Sequence, residues 1–305
     1  MRPDSTSLLI AAIAVALGGP ALLALRGVTH AHRNTALCQT VRSPWNWRLT
    51  IASLLLCTLA FNVVFLIQEL ALVVSKALTP GLHPTLYHNN HDWTGNNPLA
   101  SLEQGSGALA TLLLGLAALW WLRGRSSGST SRRLFTIWIA FHGLFASLPQ
   151  VVVGAVLPQN DVGMAMDYLR LGPAALMVAS VAALAAMAAA GTWLARPIVA
   201  LAADPEDIRT GEQRARFVFR VATIPALASL PLIIAFRIPG EIVQVAIVPI
   251  VITCLGILWL QASAWVVPAT PQLSERDPPR LLAPLVALVI ALLFFQLVLR
   301  PGIAF

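Results

Sequence analysis

Long apolar runs recur along the whole chain, separated by short polar segments rich in arginine, proline and glycine. A helix needs about 20 mainly apolar residues to cross about 30 Å of hydrocarbon. Eight segments meet that requirement: residues 7–26, 49–75, 106–123, 134–156, 173–195, 217–236, 241–267 and 281–299. The runs are too long for strands and too uniformly apolar for helices with one wet face. The pattern predicts an all-α, polytopic transmembrane helix bundle of about eight spans, a single integral membrane domain over residues 1–305. Breaker residues mark its irregular points. Gly18-Gly19-Pro20 should kink the first span. The second is long and should tilt or project. Arg237-Ile238-Pro239-Gly240 should form a tight turn between the sixth and seventh.

The polar segments predict an orientation. Fifteen basic residues follow spans one, three, five and seven, and five lie on the other side. Basic loops stay in the cytoplasm, so both termini are expected outside. The segment before the first run carries one arginine, offset by Asp4, and stronger positive charge follows the run. That pattern fits a retained helix better than a cleaved signal. Alanine is abundant, and arginine outnumbers lysine 19 to one. The expected location is a bacterial inner membrane, multi-pass, with periplasmic termini.

Composition narrows the function. Hydrophobic residues make up 57% and charged residues 11%, with a mean hydropathy of +0.76, which excludes disorder and a soluble domain. A net charge of +7 would suggest nucleic acid in a soluble protein. Here the arginines would anchor loops to anionic headgroups. The expected partner is therefore the lipid bilayer and not nucleic acid, with a second membrane protein as a candidate. Cys38, Cys57 and Cys254 are far apart and form no CxxC pair, so neither a disulfide framework nor a thiolate zinc site is indicated.

Candidate chemistry gathers on the predicted outer side. The loop 78–105 carries His83, His88, Asn89, Asn90, His91, Asp92 and Trp93, and the second span carries Gln68 and Glu69 near its outer end. Asn62, Glu69 and Lys76 are spaced by seven and share one face. A polar stripe in a membrane helix should face the bundle interior or a water-filled cavity. His142 and Gln150 on the fourth span and Asp161 beyond it can reach the same cavity. His88-x-x-His91 puts two imidazoles within reach of one ion. With Glu69, His142 and Asp161 they make a candidate site for a divalent transition metal, zinc first. Gln68, Asn89, Asn90, Asp92, Trp93, Gln104 and Gln150 are candidate ligand-binding residues. Plainer roles stand beside these. Asn89, Asn90 and Asp92 are turn formers, Trp93 suits an interfacial anchor, and Ser101-Leu102-Glu103-Gln104 fits a capping box opening the third span.

Over residues 60–172, about a third of the chain, the order of motifs resembles the intramembrane zinc metalloproteases of the site-two type. Those proteins carry H-E-x-x-H on a membrane helix, a glycine-containing entry to the next helix, and a later aspartate ligand. The corresponding segments are Gln68-Glu69-Leu70-Ala71-Leu72, Gln104-Gly105-Ser106-Gly107-Ala108 and Asn160-Asp161-Val162-Gly163. Glutamine and leucine replace both helical histidines. The resemblance therefore implies the fold with proteolysis lost, or replacement ligands from His88, His91 or His142. No Walker loop, dinucleotide fingerprint or G-x-S-x-G occurs. Three readings follow: an outward-facing polar cavity that binds a metal ion or a small polar ligand, an inactive metalloprotease-like protein or partner subunit, and a secondary transporter. An enzyme, if this is one, would be a metal-dependent membrane hydrolase.

Overall fold

A computed structural model describes residues 5–34, 44–124, 129–268 and 279–305. Cys38 and the basic segments around Arg125 and Arg276 lie outside the described residues. In chain order the elements are α1 (Thr6–Thr29), α2 (Trp47–Ala77), β1 (Leu82–Leu86), β2 (His91–Gly95), α3 (Leu99–Arg123), α4 (Thr130–Val156), α5 (Asp161–Tyr168), α6 (Pro173–Val199), α7 (Gly211–Arg237), α8 (Val243–Ser263), α9 (Leu282–Leu299) and β3 (Ile303–Ala304). Every helix except α5 is long and apolar enough to cross a membrane, eight in all. The protein is a membrane helix bundle with one small sheet.

Side chains at the helix starts satisfy N–H groups that have no partner inside the helix. Asn46 accepts from the Leu49 amide at the start of α2, and Ser129 from the Arg132 amide at α4. Asn160 accepts from the Val162 amide at α5. Thr210 and Gln213 form a reciprocal capping box at α7. Pro173 occupies the first turn of α6, where its missing N–H costs nothing.

Burial sorts the helices into layers. Two thirds of the apolar window of α2 and of α4 is buried inside the protein, against 11% for α1 and 22% for α9. The central pair is therefore α2 and α4, and α1 and α9 form the rim. Glycines let α3 and α4 approach closely. A Cβ on Gly143 would lie 2.8 Å from the Thr111 carbonyl oxygen and 2.9 Å from the Gly115 Cα. Small residues at such crossings replace the hydrophobic drive that lipid removes. Polar groups add to it: Trp138 Nε1 donates to Ser53 Oγ, and Ser53 Oγ donates to the Val221 carbonyl.

The expected kink in α1 takes a specific form. Residues Ala14–Gly18 make a π-turn just before Pro20. Proline offers no N–H to the carbonyl four residues back, so the turn there can widen. The same arrangement recurs three times. Phe219–Thr223 precedes Pro225, Val243–Ile247 precedes Pro249, and Phe294–Leu299 precedes Pro301.

Residues 78–105 are more ordered than a plain loop. Gly81 and Gly95 take positive φ, at 82° and 106°, and bracket an antiparallel hairpin in which Leu86 pairs with His91 and Leu82 with Gly95. Strand β3 adds to the other edge, giving the order β2-β1-β3. Helix α3 begins at Leu99, seven residues before the apolar run. Hydropathy hides that start because Glu103, Gln104 and Gly105 interrupt the run.

Candidate functional site

A cavity of about 590 Å³ lies between α2, α4, α8 and the hairpin. Glu69 of α2 faces it and is buried. Its Oε2 lies 2.8 Å from His91 Nδ1. An ionised carboxylate only accepts, so His91 donates there. His91 Nε2 lies 3.1 Å from Gln104 Oε1 and 3.5 Å from Lys76 Nζ. Lys76 Nζ donates to Gln104 Oε1 at 2.8 Å and to the Leu72 carbonyl at 3.3 Å.

Lys76 is the chain's single lysine and is fully buried. A buried ammonium needs compensating charge. Glu69, Glu103 and Asp161 all act on it electrostatically. Its Nζ also lies 4.8 Å from the centre of the Trp93 ring, which stacks on His91. The stripe of Asn62, Glu69 and Lys76 is buried throughout. Chemically, the network can hold its protons in two ways. A doubly protonated His91 donates to both Glu69 and Gln104. A singly protonated ring instead offers Nε2 to the Lys76 ammonium.

Asp161 begins α5 and lines the same cavity. Burial and then the nearby Glu69 hold its pKa above the ordinary carboxylate value, while His91 and Lys76 pull it back. Arg237, at the end of α7, also lines the cavity and is buried. Its guanidinium lies 4.1 Å from the centre of the Phe65 ring and donates to the Asn89 carbonyl at 3.4 Å. Its Nε has no hydrogen-bond partner among the described residues.

The remaining candidates divide. Gln150 Nε2 reaches Gln68 Oε1 at 3.5 Å, and both side chains line the cavity. His142 reaches the inner end, with Nε2 3.4 Å from Cys57 Sγ and its ring among Phe61, Trp138 and Phe141. Asn89 and Asn90 line the cavity too, although the Asn89 amide donates to the Pro239 carbonyl. Asp92 is exposed and accepts from the Trp93 amide as a turn former. Trp93 is part of the cavity wall rather than a lipid anchor. Gln104 does not close a capping box; its side chain belongs to the network.

His88 is the outlier. It sits in the hairpin turn and is buried, but it is not part of the cavity wall. Burial holds its pKa below the ordinary imidazole value; the Ile238 and Pro239 carbonyls oppose that, and Arg300 and Arg237 reinforce it. The His88-x-x-His91 pair thus spans a turn and faces two different environments. Among the described residues, no group of three or more His, Cys, Asp or Glu side chains could hold a metal ion. The zinc implied by the metalloprotease resemblance does not fit this donor set. Leu72 is packed against Gly107, Gln68 is paired with Gln150, and an ammonium stands beside His91 Nε2.

The spacing of Lys76 marked it as part of a stripe, whereas Arg237 read only as a turn cation. Gln244, also on the wall, gave no signal in the sequence, and Asn160 only as part of the segment that resembles the metalloprotease aspartate element. Comparison of the chain with protein-family models, curated proteins and solved structures finds no match.

Proposed function

We propose that this membrane protein binds a small polar ligand in the cavity bounded by Glu69, His91, Asp161 and Arg237, opening on the outer side of a bacterial inner membrane. The observation that carries the reading is the Glu69–His91–Gln104–Lys76 network on the wall of a 590 Å³ space. Such a volume lies in the range of small-molecule sites, about 300–1,000 Å³. Ionisable groups inside a membrane protein mark functional sites by default. Both cations and anions face the cavity, which favours a polar organic ligand over a metal ion.

A second reading has its own support. The three segments that resemble intramembrane metalloproteases supply Gln68 and Glu69, Gln104, and Asn160 and Asp161 to one cavity. A metalloprotease-like scaffold that has exchanged its metal for a lysine-centred network accounts for that convergence.

Cysteine labelling from outside intact cells tests the cavity. Thr94→Cys and Gln150→Cys should react with a small impermeant thiol reagent above the parent background, and Ala203→Cys should not. Labelling of Ala203→Cys alone would reverse the orientation. An unreactive Gln150→Cys beside a reactive Thr94→Cys would show that the cavity is not hydrated from outside. Zinc retained at one per chain and lost in His91→Ala would replace the organic ligand with a metal.

A further inference from the structure

The cavity is not sealed from the bilayer. Ile247, Val248 and Val251 of α8 line it, yet they are 47%, 42% and 56% exposed. Val153 of α4 also lines it and is 39% exposed. On spanning helices of a membrane bundle, apolar side chains this exposed are available to lipid as well as to the cavity. The helices α4 and α8 touch deeper in the bundle, where a Cβ on Gly256 would meet the Phe141 ring at 2.5 Å. Toward the sheet end, Val153 and Val248 border the cavity from α4 and α8 and are exposed, which is where a lateral mouth would lie.

The interior is graded in the same sense as a lipid leaflet. Phe61, Val64, Ala146 and Ile252 line the apolar part, and Glu69, His91, Asp161 and Arg237 the polar part. Size limits what can enter. One turn of an α-helix, 10–12 Å wide and 5.4 Å high, fills roughly 400–600 Å³, so a spanning peptide of several turns does not fit. A headgroup and part of one acyl chain do, with the rest left in the bilayer through the mouth. Charge selects the headgroup. The buried Arg237, with its unpartnered Nε, offers a donor to an anion. Asp161 and Glu69 offer carboxylates to an ammonium, and Glu69 acts electrostatically on both Asp161 and Arg237.

We propose that the ligand is a zwitterionic, amine-bearing phospholipid that enters sideways between α4 and α8, its phosphate at Arg237 and its ammonium at Asp161. This rests on the ligand-binding reading above and names the chemical class of the ligand.

Native mass spectrometry of the full chain, released from nanodiscs of equimolar phosphatidylethanolamine and phosphatidylglycerol, tests it. One phosphatidylethanolamine per chain should be retained, about tenfold over phosphatidylglycerol, as expected for one charge-assisted contact. Val251→Trp, at a lipid-exposed position of the mouth, should abolish that preference. Val178→Trp, 69% exposed on α6, should leave it intact. Asp161→Asn, which removes the carboxylate assigned to the ammonium, should lose it as well; if that variant fails to fold, the surface pair still decides. Equal retention of the two lipids, or the same behaviour in both tryptophan variants, overturns the proposal. In that event a reactive Gln150→Cys would still leave a cavity for a water-borne ligand, whereas an unreactive one removes the cavity reading itself.

Discussion

His91 and Glu69 are 22 positions apart in sequence and meet through Nδ1 and Oε2 at 2.8 Å, both side chains being under a tenth exposed. The contact fastens the hairpin to α2 and fixes which face of the imidazole looks toward Lys76. Replacing the carboxylate therefore tests the joint directly. Glu69→Gln keeps an acceptor for the His91 N–H, while Glu69→Leu strands that donor. Leaving a buried donor unsatisfied costs about 1–3 kcal/mol. Thermal unfolding in detergent should show Glu69→Leu less stable than Glu69→Gln by about that amount. Equal stability would mean that Glu69 is held by water.

Lys76 is the only ammonium among three acidic side chains. Lys76→Met leaves Glu69, Glu103 and Asp161 facing one another without it. Removing one partner of a buried charge pair costs about 3–5 kcal/mol. We expect a loss at the lower end of that range, partly recovered by adding Glu103→Gln. Parent-like stability of the single variant would show that the network does not depend on the ammonium.

His88 gives the protein a dependence on pH. Its pKa is held below the ordinary value of 6.5, so the unfolded chain takes up the proton more readily. The stability this imidazole contributes is complete above the unfolded value and is lost as pH falls through the folded one. The unfolding temperature should therefore decline as pH falls below the ordinary imidazole value of 6.5, and His88→Gln should flatten the decline. An unchanged slope in His88→Gln would assign the titration to another group.

The α3–α4 crossing is set by two glycines. Gly143→Ala forces a methyl against the Thr111 carbonyl, and overpacking of this kind costs about 1–3 kcal/mol. Gly18→Ala meets nothing within 4 Å and should be neutral or slightly stabilising. Comparable unfolding temperatures for the two variants would show that α3 and α4 can separate without penalty.

The parts of this structure that were legible in the sequence are those the bilayer dictates. All eight spans follow from apolar length, and the π-turns sit where a proline withholds an N–H. Burial of the Asn62, Glu69 and Lys76 stripe followed from helical spacing alone. The site was only half legible. Asp161 and Gln150 could be assigned to the cavity because topology confines them to one side. Gln104 was a candidate too, although its bond to His91 was not legible; the role of Arg237 was not, since its partner comes from tertiary packing across 148 positions of chain. His88 and His91 seemed paired because the hairpin turn between them leaves no mark on hydropathy. The turn buries one ring outside the cavity and brings the other to Glu69.

The hairpin is fastened along its β1 edge by β3. Along β1, Thr85 and Leu86 pair with Ala304 and Ile303, and the Phe305 amide donates to the Pro84 carbonyl. Strand β3 follows α9 after a short turn, so His91 is joined through two strands to a rim helix that also packs on α2, where Phe295 meets Phe65. A tilt of α9, of the kind a change in bilayer thickness imposes, would act on the hairpin through that pairing. This lipid-exposed rim helix thus holds the network at two points, the hairpin and α2.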